Sequence, residues 1–362
     1  PSPHPAFGHP LPQGERVRSR RARNAVVAGV VLFLASQVGL NLAISREVLP
    51  IRDPVYFEKR DILRPHAAFF APSDTPVSPL RVVALGTSRT QLAFDAERFA
   101  NAAPRPVTAF NFGVPAGGPL TSAIYLRRLL ADGFAPDVLL VEVHPCFVAP
   151  QDPPFEARWL HGFRLRPEEI PLLRGFGWAV ESPPHHGWKG WAAAAYSYRL
   201  GLLNHYSPVL LPCPYGLHAG VKTDPFGYVA GIELPPGQKP RAIQRTHEQY
   251  APVLADYRIG GAGVEALRDV LALCRERGIR TAIVLTPESS EFRGWYGDAG
   301  YRAVTAFAND VGREFASPVF DGREWLPDAE IADGHHLTSA GAKTFTDRLA
   351  RESTTWLEGV RK

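Results

Sequence analysis

Cysteine is scarce in this chain: three in 362 residues, Cys146, Cys213 and Cys274. None stands at a metal-ligand spacing from another. The odd count leaves at least one thiol unpaired or intermolecular, and one disulfide of undetermined pairing stays open. A basic face is lacking too. The formal charge is only +4, and much of it sits in Arg16, Arg18, Arg20, Arg21 and Arg23. The remainder is near neutral, which excludes a nucleic-acid footprint on the folded part. The 35 prolines are spread along the chain, so they predict many loops rather than one block of disorder. What is present, 45% apolar and 21% charged residues, suffices for one sizeable domain or a domain with a large insertion.

Residues 1–15 are rich in Pro, His and Gly and read as disordered. Behind the arginines, Ala25 to Ile44 carries no charge, and at 1.5 Å per residue it reaches roughly 30 Å, one bilayer core. With the basic flank first, the N-terminus is expected in the cytoplasm and the bulk of the chain outside. A cleaved signal peptide is the alternative, since Ala43 and Ser45 are small residues suited to a cut. Either reading exports the rest.

The run Val82 to Leu85 ends in Gly86-Thr87-Ser88 and is followed by Thr90 to Phe99, a pattern able to form a helix. A short apolar run closed by glycine predicts a buried parallel strand. Ser88 then falls in the strand-to-helix turn, at the sheet edge where open α/β folds place ligands. Gly-Thr-Ser also makes ordinary turns and caps. Near the other end, Asp333-Gly-His-His336 precedes a Thr338 or Ser339 cap and an Ala- and Phe-containing helix. Spacing of three lets one turn present both side chains, the carboxylate orienting the imidazole. A serine hydroxyl needs such a base before it attacks. His335 is the rival base, and a solvated Asp-Gly turn is the plain alternative.

Together, Gly-Thr-Ser88-Arg and Asp333-x-x-His336-Leu-Thr-x-x-Gly resemble the SGNH (GDSL-like) hydrolase superfamily. The likeness covers about residues 80–150 and 260–350, and looks closest to the membrane-anchored branch of alginate O-acetylation and teichoic-acid D-alanine transfer proteins. It implies a three-layer flavodoxin-like α/β fold with a parallel sheet. It also implies a Ser88–His336–Asp333 triad, with oxyanion amides from Ser88 and from Gly113 or Gly117 after the second strand, Val107 to Phe112. Asn111 in that strand joins the substrate-side set. The third strand, Asp137 to His144, departs from the pattern. Hydrolytic members carry Gly-x-Asn-Asp there, whereas this chain has Glu142-Val-His144-Pro-Cys146. His144 either replaces the missing donor or simply caps the strand. The departure disfavours ordinary esterase activity and suits the acyl-transfer branch.

Residues 150–260 interrupt the α/β alternation and hold four of the seven tryptophans, Trp159, Trp178, Trp188 and Trp191. They read as a helical insertion with its own small core, or as a lid, a sugar-stacking platform or a surface resting on a membrane. His185, His186 and His205 show no metal spacing. Helix Ala262 to Gly278, strand Arg280 to Leu285, a helix near Tyr301 to Phe315 and a short strand Pro318 to Phe320 complete the pattern. Glu288 and Arg293, between them, read as solvated loop residues or as substrate contacts.

The expected layout is a disordered basic arm (1–24), a transmembrane anchor (25–45), a connector (46–80), an SGNH-like domain (81–350) with its insertion (150–260), and a C-terminal tail (351–362). The expected activity is serine O-acyl transfer or ester hydrolysis on a cell-envelope polysaccharide, at the inner membrane with the domain periplasmic or extracellular. The expected partners are an acyl donor, a polysaccharide acceptor and a membrane-bound acyl-delivery protein. No metal, cofactor or nucleic acid is called for. The alternatives are a non-catalytic, membrane-tethered polysaccharide-binding or assembly protein on a decayed core, and a soluble lipase-like esterase.

Overall fold

The computed structural model describes residues 13–69, 79–180, 187–211 and 222–360. Five short apolar runs form the strands: β1 (Leu80–Leu85), β2 (Val107–Asn111), β3 (Val138–Glu142), β4 (Arg280–Leu285) and β5 (Val319–Asp321). All pair in parallel in the order β2-β1-β3-β4-β5. In β1, Val83 stands opposite Phe110 on one side and Leu139 on the other. Strands buried on both faces need helices on both faces, and that is how the chain is laid out. The expected flavodoxin-like arrangement is therefore the observed one, and its strand order reverses between β1 and β3.

In chain order the helices are α1 (Gln13–Ser45), α2 (Pro54–Leu63), α3 (Ser88–Ala93), α4 (Ala96–Ala102), α5 (Pro119–Ala131), α6 (Glu169–Gly175), α7 (Trp188–Ala192), α8 (Ala194–Ser197), α9 (Arg199–Tyr206), α10 (Lys239–Leu254), α11 (Ala262–Glu276), α12 (Ser290–Glu314), α13 (Ser339–Glu352) and α14 (Thr354–Gly359). One layer buries Leu126 and Leu129 of α5 with Leu267, Val270 and Val304 of α11 and α12. The other buries Phe99 of α4 with Phe345 and Leu349 of α13.

Several expectations are corrected. Thr90 to Phe99 is two helices, because Phe94 is extended and the Asp95 side chain accepts from Arg98 N to start α4. The basic arm is helical from Gln13 onward. Arginine is a good helix former, and a helix already nucleated by the apolar segment propagates into it cheaply. Residues 1–12 lie outside the described residues. Beyond 351 the chain is no loose tail: Leu357 and Val360 are buried, and Arg105 donates to Val360 O (2.7 Å).

Within α1, Arg20–Ser45 is long and apolar enough to cross a membrane, an 18-residue window inside it having a mean hydropathy of 2.0. The connector docks through Ile51, Tyr56 and Phe69, all fully buried; each such side chain is worth about 1.5–3 kcal/mol. Asp53 caps α2 and also receives Arg128 (2.8 Å) and Arg164 (3.1 Å), tying α2 to α5 and to the insertion.

The insertion has no core of its own through residue 180. Phe155, Leu165, Leu173 and Trp178 join the main core beside α5 and α11. Among the described residues, the α8–α9 region contributes to a separate small cluster, Ala194, Tyr198 and Leu202 with Ile44 and Ile51. Cys146 and Cys274 are buried and free; Cys213, His185 and His186 lie outside the described residues.

Candidate active site

Ser88 opens α3 at the carboxyl end of β1, at the switch point of the sheet. The turn that holds it is built from Gly86, Thr87 and the end of β3. A Cβ on Gly86 would fall on Thr90 Oγ1 and Glu142 Oε2, so only glycine admits this close packing. The Glu142 carboxylate accepts from Thr87 N (2.7 Å), Thr87 Oγ1 (3.0 Å) and Thr90 Oγ1 (2.7 Å). Thr87 Oγ1 in turn accepts from Arg89 N and caps α3. Ser88 itself stays half-buried.

The partner turn lies between η-turn 328–330 and α13. Ile331 and Leu337 pair across its base. Asp333 Oδ1 accepts from His336 N (2.9 Å) and His335 N (3.3 Å), and Gly334 takes φ +105°, where a side chain would be strained. Thr338, rather than Ser339, caps α13. The outcome is a continuous chain: Asp333 Oδ2 lies 2.8 Å from His336 Nδ1, and His336 Nε2 lies 2.7 Å from Ser88 Oγ. A carboxylate can only accept, so Nδ1 carries the proton and Nε2 accepts from the Ser88 hydroxyl. Burial raises the Asp333 carboxyl, but the neighbouring His336 and His335 and the His336 hydrogen bonds outweigh it and hold it well below the usual range. Asp333 is thus a fixed negative charge behind His336.

The other sequence candidates are placed differently. Gly113 N donates to Asn111 Oδ1 (2.8 Å) and Gly117 N to Val114 O (3.0 Å), so neither amide is free for a substrate. Asn111 is fully buried, and its amide donates to Thr90 O, Gln91 O and Phe94 O. It fastens α3 to β2 and does not face substrate. His144 caps the turn Pro145–Phe147 that follows β3: its Nδ1 accepts from Cys146 N (3.2 Å), and its Nε2 is buried with no partner among the described residues. Burial, then Arg89 and the two other histidines, push its pKa well below the ordinary value.

Elimination along the loop after β2 points to a residue that sequence reading missed. Val114 N donates to Gly86 O and Gly118 N to Ala116 O; Pro115 has no N–H. Ala116 is the one amide between 113 and 118 with no acceptor among the described residues, and it takes φ +55°, rare for a non-glycine. Val114 lays this loop directly against the Ser88 turn.

No family model matches the chain, and no curated protein matches it in sequence. Solved structures do resemble it. A lipase/acylhydrolase from Enterococcus faecalis is 13% identical with a TM-score of 0.36, covering 76% of this chain and 96% of that one. A catalytic mutant of an acetylxylan esterase from Geobacillus stearothermophilus is 10% identical at 0.35, covering 75% and 93%. A carbohydrate acetylesterase from Sinorhizobium meliloti is 9% identical at 0.34, covering 76% and 99%.

Behind the Ser88–His336 pair lies a fully buried ion pair, Arg89 to Glu288 at 3.0 Å, with Tyr296 Oη donating to the same carboxylate and Arg89 donating to Thr286 O. Glu288 is therefore neither solvated nor a substrate contact. Arg293 is turned inward too, donating to Glu288 O and Arg323 O. His335 is buried between Phe292 and Tyr250 and does not reach Ser88. Asp333, His335 and His336 offer donor atoms within 4.8 Å of one another, but Asp333 already bonds His336, and His336 bonds Ser88. The insertion also borders the site: Ile232 N donates to Leu337 O, and Tyr250 packs on the His335 ring.

Proposed function

We propose that the chain is a serine O-acyltransferase or esterase of the SGNH kind, acting on an acylated cell-envelope polysaccharide from a membrane anchor. The observation that carries this is the Ser88–His336–Asp333 chain, two hydrogen bonds of 2.7 and 2.8 Å ending on a half-buried serine. Ser88 Oγ attacks the acyl carbonyl carbon while its proton passes to His336 Nε2. Asp333 holds the ring and stabilises the imidazolium. The Ser88 N–H, which has no acceptor among the described residues, and the Ala116 N–H receive the oxyanion. Collapse of the tetrahedral adduct expels the donor alcohol, which takes the proton from Nε2. The acyl group then leaves Ser88 for a sugar hydroxyl or water by the reverse steps. Use of a sugar requires exclusion of water, and the insertion segment 229–250 beside His336 supports that role. The basic residues before the apolar helix support a periplasmic or extracellular domain, facing a membrane-bound acyl-delivery partner.

The test is fluorophosphonate labelling of the full chain in detergent, read by intact mass and peptide mapping. One adduct on Ser88, lost in Ser88→Ala and reduced at least about 10³-fold in rate in His336→Ala, is expected. A folded protein with no adduct would return the chain to the non-catalytic binding or assembly reading.

A further inference from the structure

The insertion helices meet α1 in a way that fixes their depth. Between Arg23 and Arg46 the chain has 22 uncharged residues, about 33 Å of helix against a hydrocarbon core of about 30 Å. The segment therefore has little room to slide. Gln37 lies eight residues before Ser45, about 12 Å below the end of α1. A polar side chain at that depth requires a partner, and it has one: Gln37 Oε1 accepts from Ala195 N of α8 at 2.9 Å. Gln37 and, one turn on, Asn41 are buried although the first half of the apolar stretch is bare. Ile44 and Leu40 of α1 pack with Ala194, Tyr198 and Leu202, and Gly201 abuts the Ile51 carbonyl.

If α1 crosses the bilayer, α8 lies below the outer hydrocarbon boundary, and the helices joined to it lie at that boundary. Their outward side chains suit this: Trp191, Tyr196, Leu203, Tyr206, Val209 and Leu210 are all exposed, Val209 to 85%. Tryptophan and tyrosine are the residues enriched where hydrocarbon meets headgroups. Both α7 and α8 contact α1, whose Val31, Leu32 and Phe33 are exposed as well.

We infer that segment 188–211 is a membrane collar: α7, α8, α9 and the turn Pro208–Leu210 embed in the outer leaflet around the emerging α1. The occupant of the exposed apolar face is lipid acyl chain and headgroup. The collar holds the protein domain at a set height and orientation above the bilayer. The inference rests on the reading of α1 as a transmembrane anchor, and its test separates the two.

The full chain, with Cys213→Ser, is reconstituted in phosphatidylcholine nanodiscs and carries a nitroxide at one cysteine: Val209→Cys, Leu32→Cys or Glu276→Cys. Residue 209 reports the collar, 32 the anchor, and 276 is an exposed position at the end of α11. Oxygen partitions into the bilayer and a nickel chelate stays in water. The expected result is an oxygen-to-nickel collision ratio at 209 and 32 several-fold above that at 276. A ratio at 209 equal to that at 276, with 32 still lipid-like, overturns the collar and leaves the anchor; this outcome also covers a face reserved for a protein partner, since none is present. A water-like ratio at 32 as well overturns both.

Discussion

Glu142 Oε2 lies 2.7 Å from Thr87 N, joining the end of β3 to the residue that precedes Ser88. The contact spans the switch point, so the position of the serine depends on the register of β1 against β3. The carboxylate can accept three hydrogen bonds at once; a glutamine keeps one acceptor oxygen and turns two N–H donors toward the threonines.

Glu142→Gln is therefore expected to fold, with stability lower by about 1–3 kcal/mol, and to label with fluorophosphonate about 10–100-fold more slowly, as reacting groups lose their alignment. Labelling rates and urea unfolding of the two proteins measure both. An unchanged rate in a destabilised protein would show that the Glu142 bonds serve the fold and not the serine.

Ala116 separates strain from chemistry. A left-handed non-glycine costs roughly 1–2 kcal/mol, and glycine costs about 0.5–1 kcal/mol in chain entropy. Ala116→Gly should thus gain up to about 1.5 kcal/mol and keep its labelling rate, because the N–H remains. Replacing Ala116 by lactic acid turns that amide into an ester and deletes only the donor. A fall of about 10²–10³ in acylation rate is expected, the usual loss for one oxyanion donor. No fall would remove Ala116 from the site.

That Ser88, Asp333 and His336 are candidates to meet was legible because each signal is local: an apolar run closed by glycine, and an Asp-x-x-His turn whose geometry is set within three residues. What surrounds them was not legible, because it depends on partners far along the chain. Glu142 looked like a degenerate motif until β3 was set beside β1. Glu288 sits in a Pro-Glu-Ser-Ser-Glu stretch that reads as solvated, and only Arg89, from the turn after β1, draws it into the core. Which of the loop amides is free could not be read either, since glycine marks where the backbone bends and not which N–H is spent. The break before α4 was within reach: Asp95 followed by Ala-Glu-Arg is a cap signal that the longer helical pattern overrode.

Lys59 yields a prediction with a definite sign in pH. Its ammonium nitrogen is buried at the end of β2, donating to Asn111 O (3.1 Å) and to Gly227 O. Burial pushes its pKa down to about 7, against the opposing pull of Glu58 and Asp224. Between about 7 and the ordinary lysine value of 10.5, the unfolded chain holds this proton and the folded one does not. Stability then rises with pH across that window, by at most about 1.4 kcal/mol per pH unit. Below pH 7 both states are protonated and this contribution is flat at its least favourable level. Lys59→Met removes the titration, so its stability relative to wild type should fall progressively from pH 7 to pH 9.5. Urea midpoints of both full chains at pH 6.5, 8 and 9.5 measure this, and groups common to the two cancel in the difference. Parallel profiles would mean that Lys59 stays charged in the fold, held by the two carbonyls it bridges.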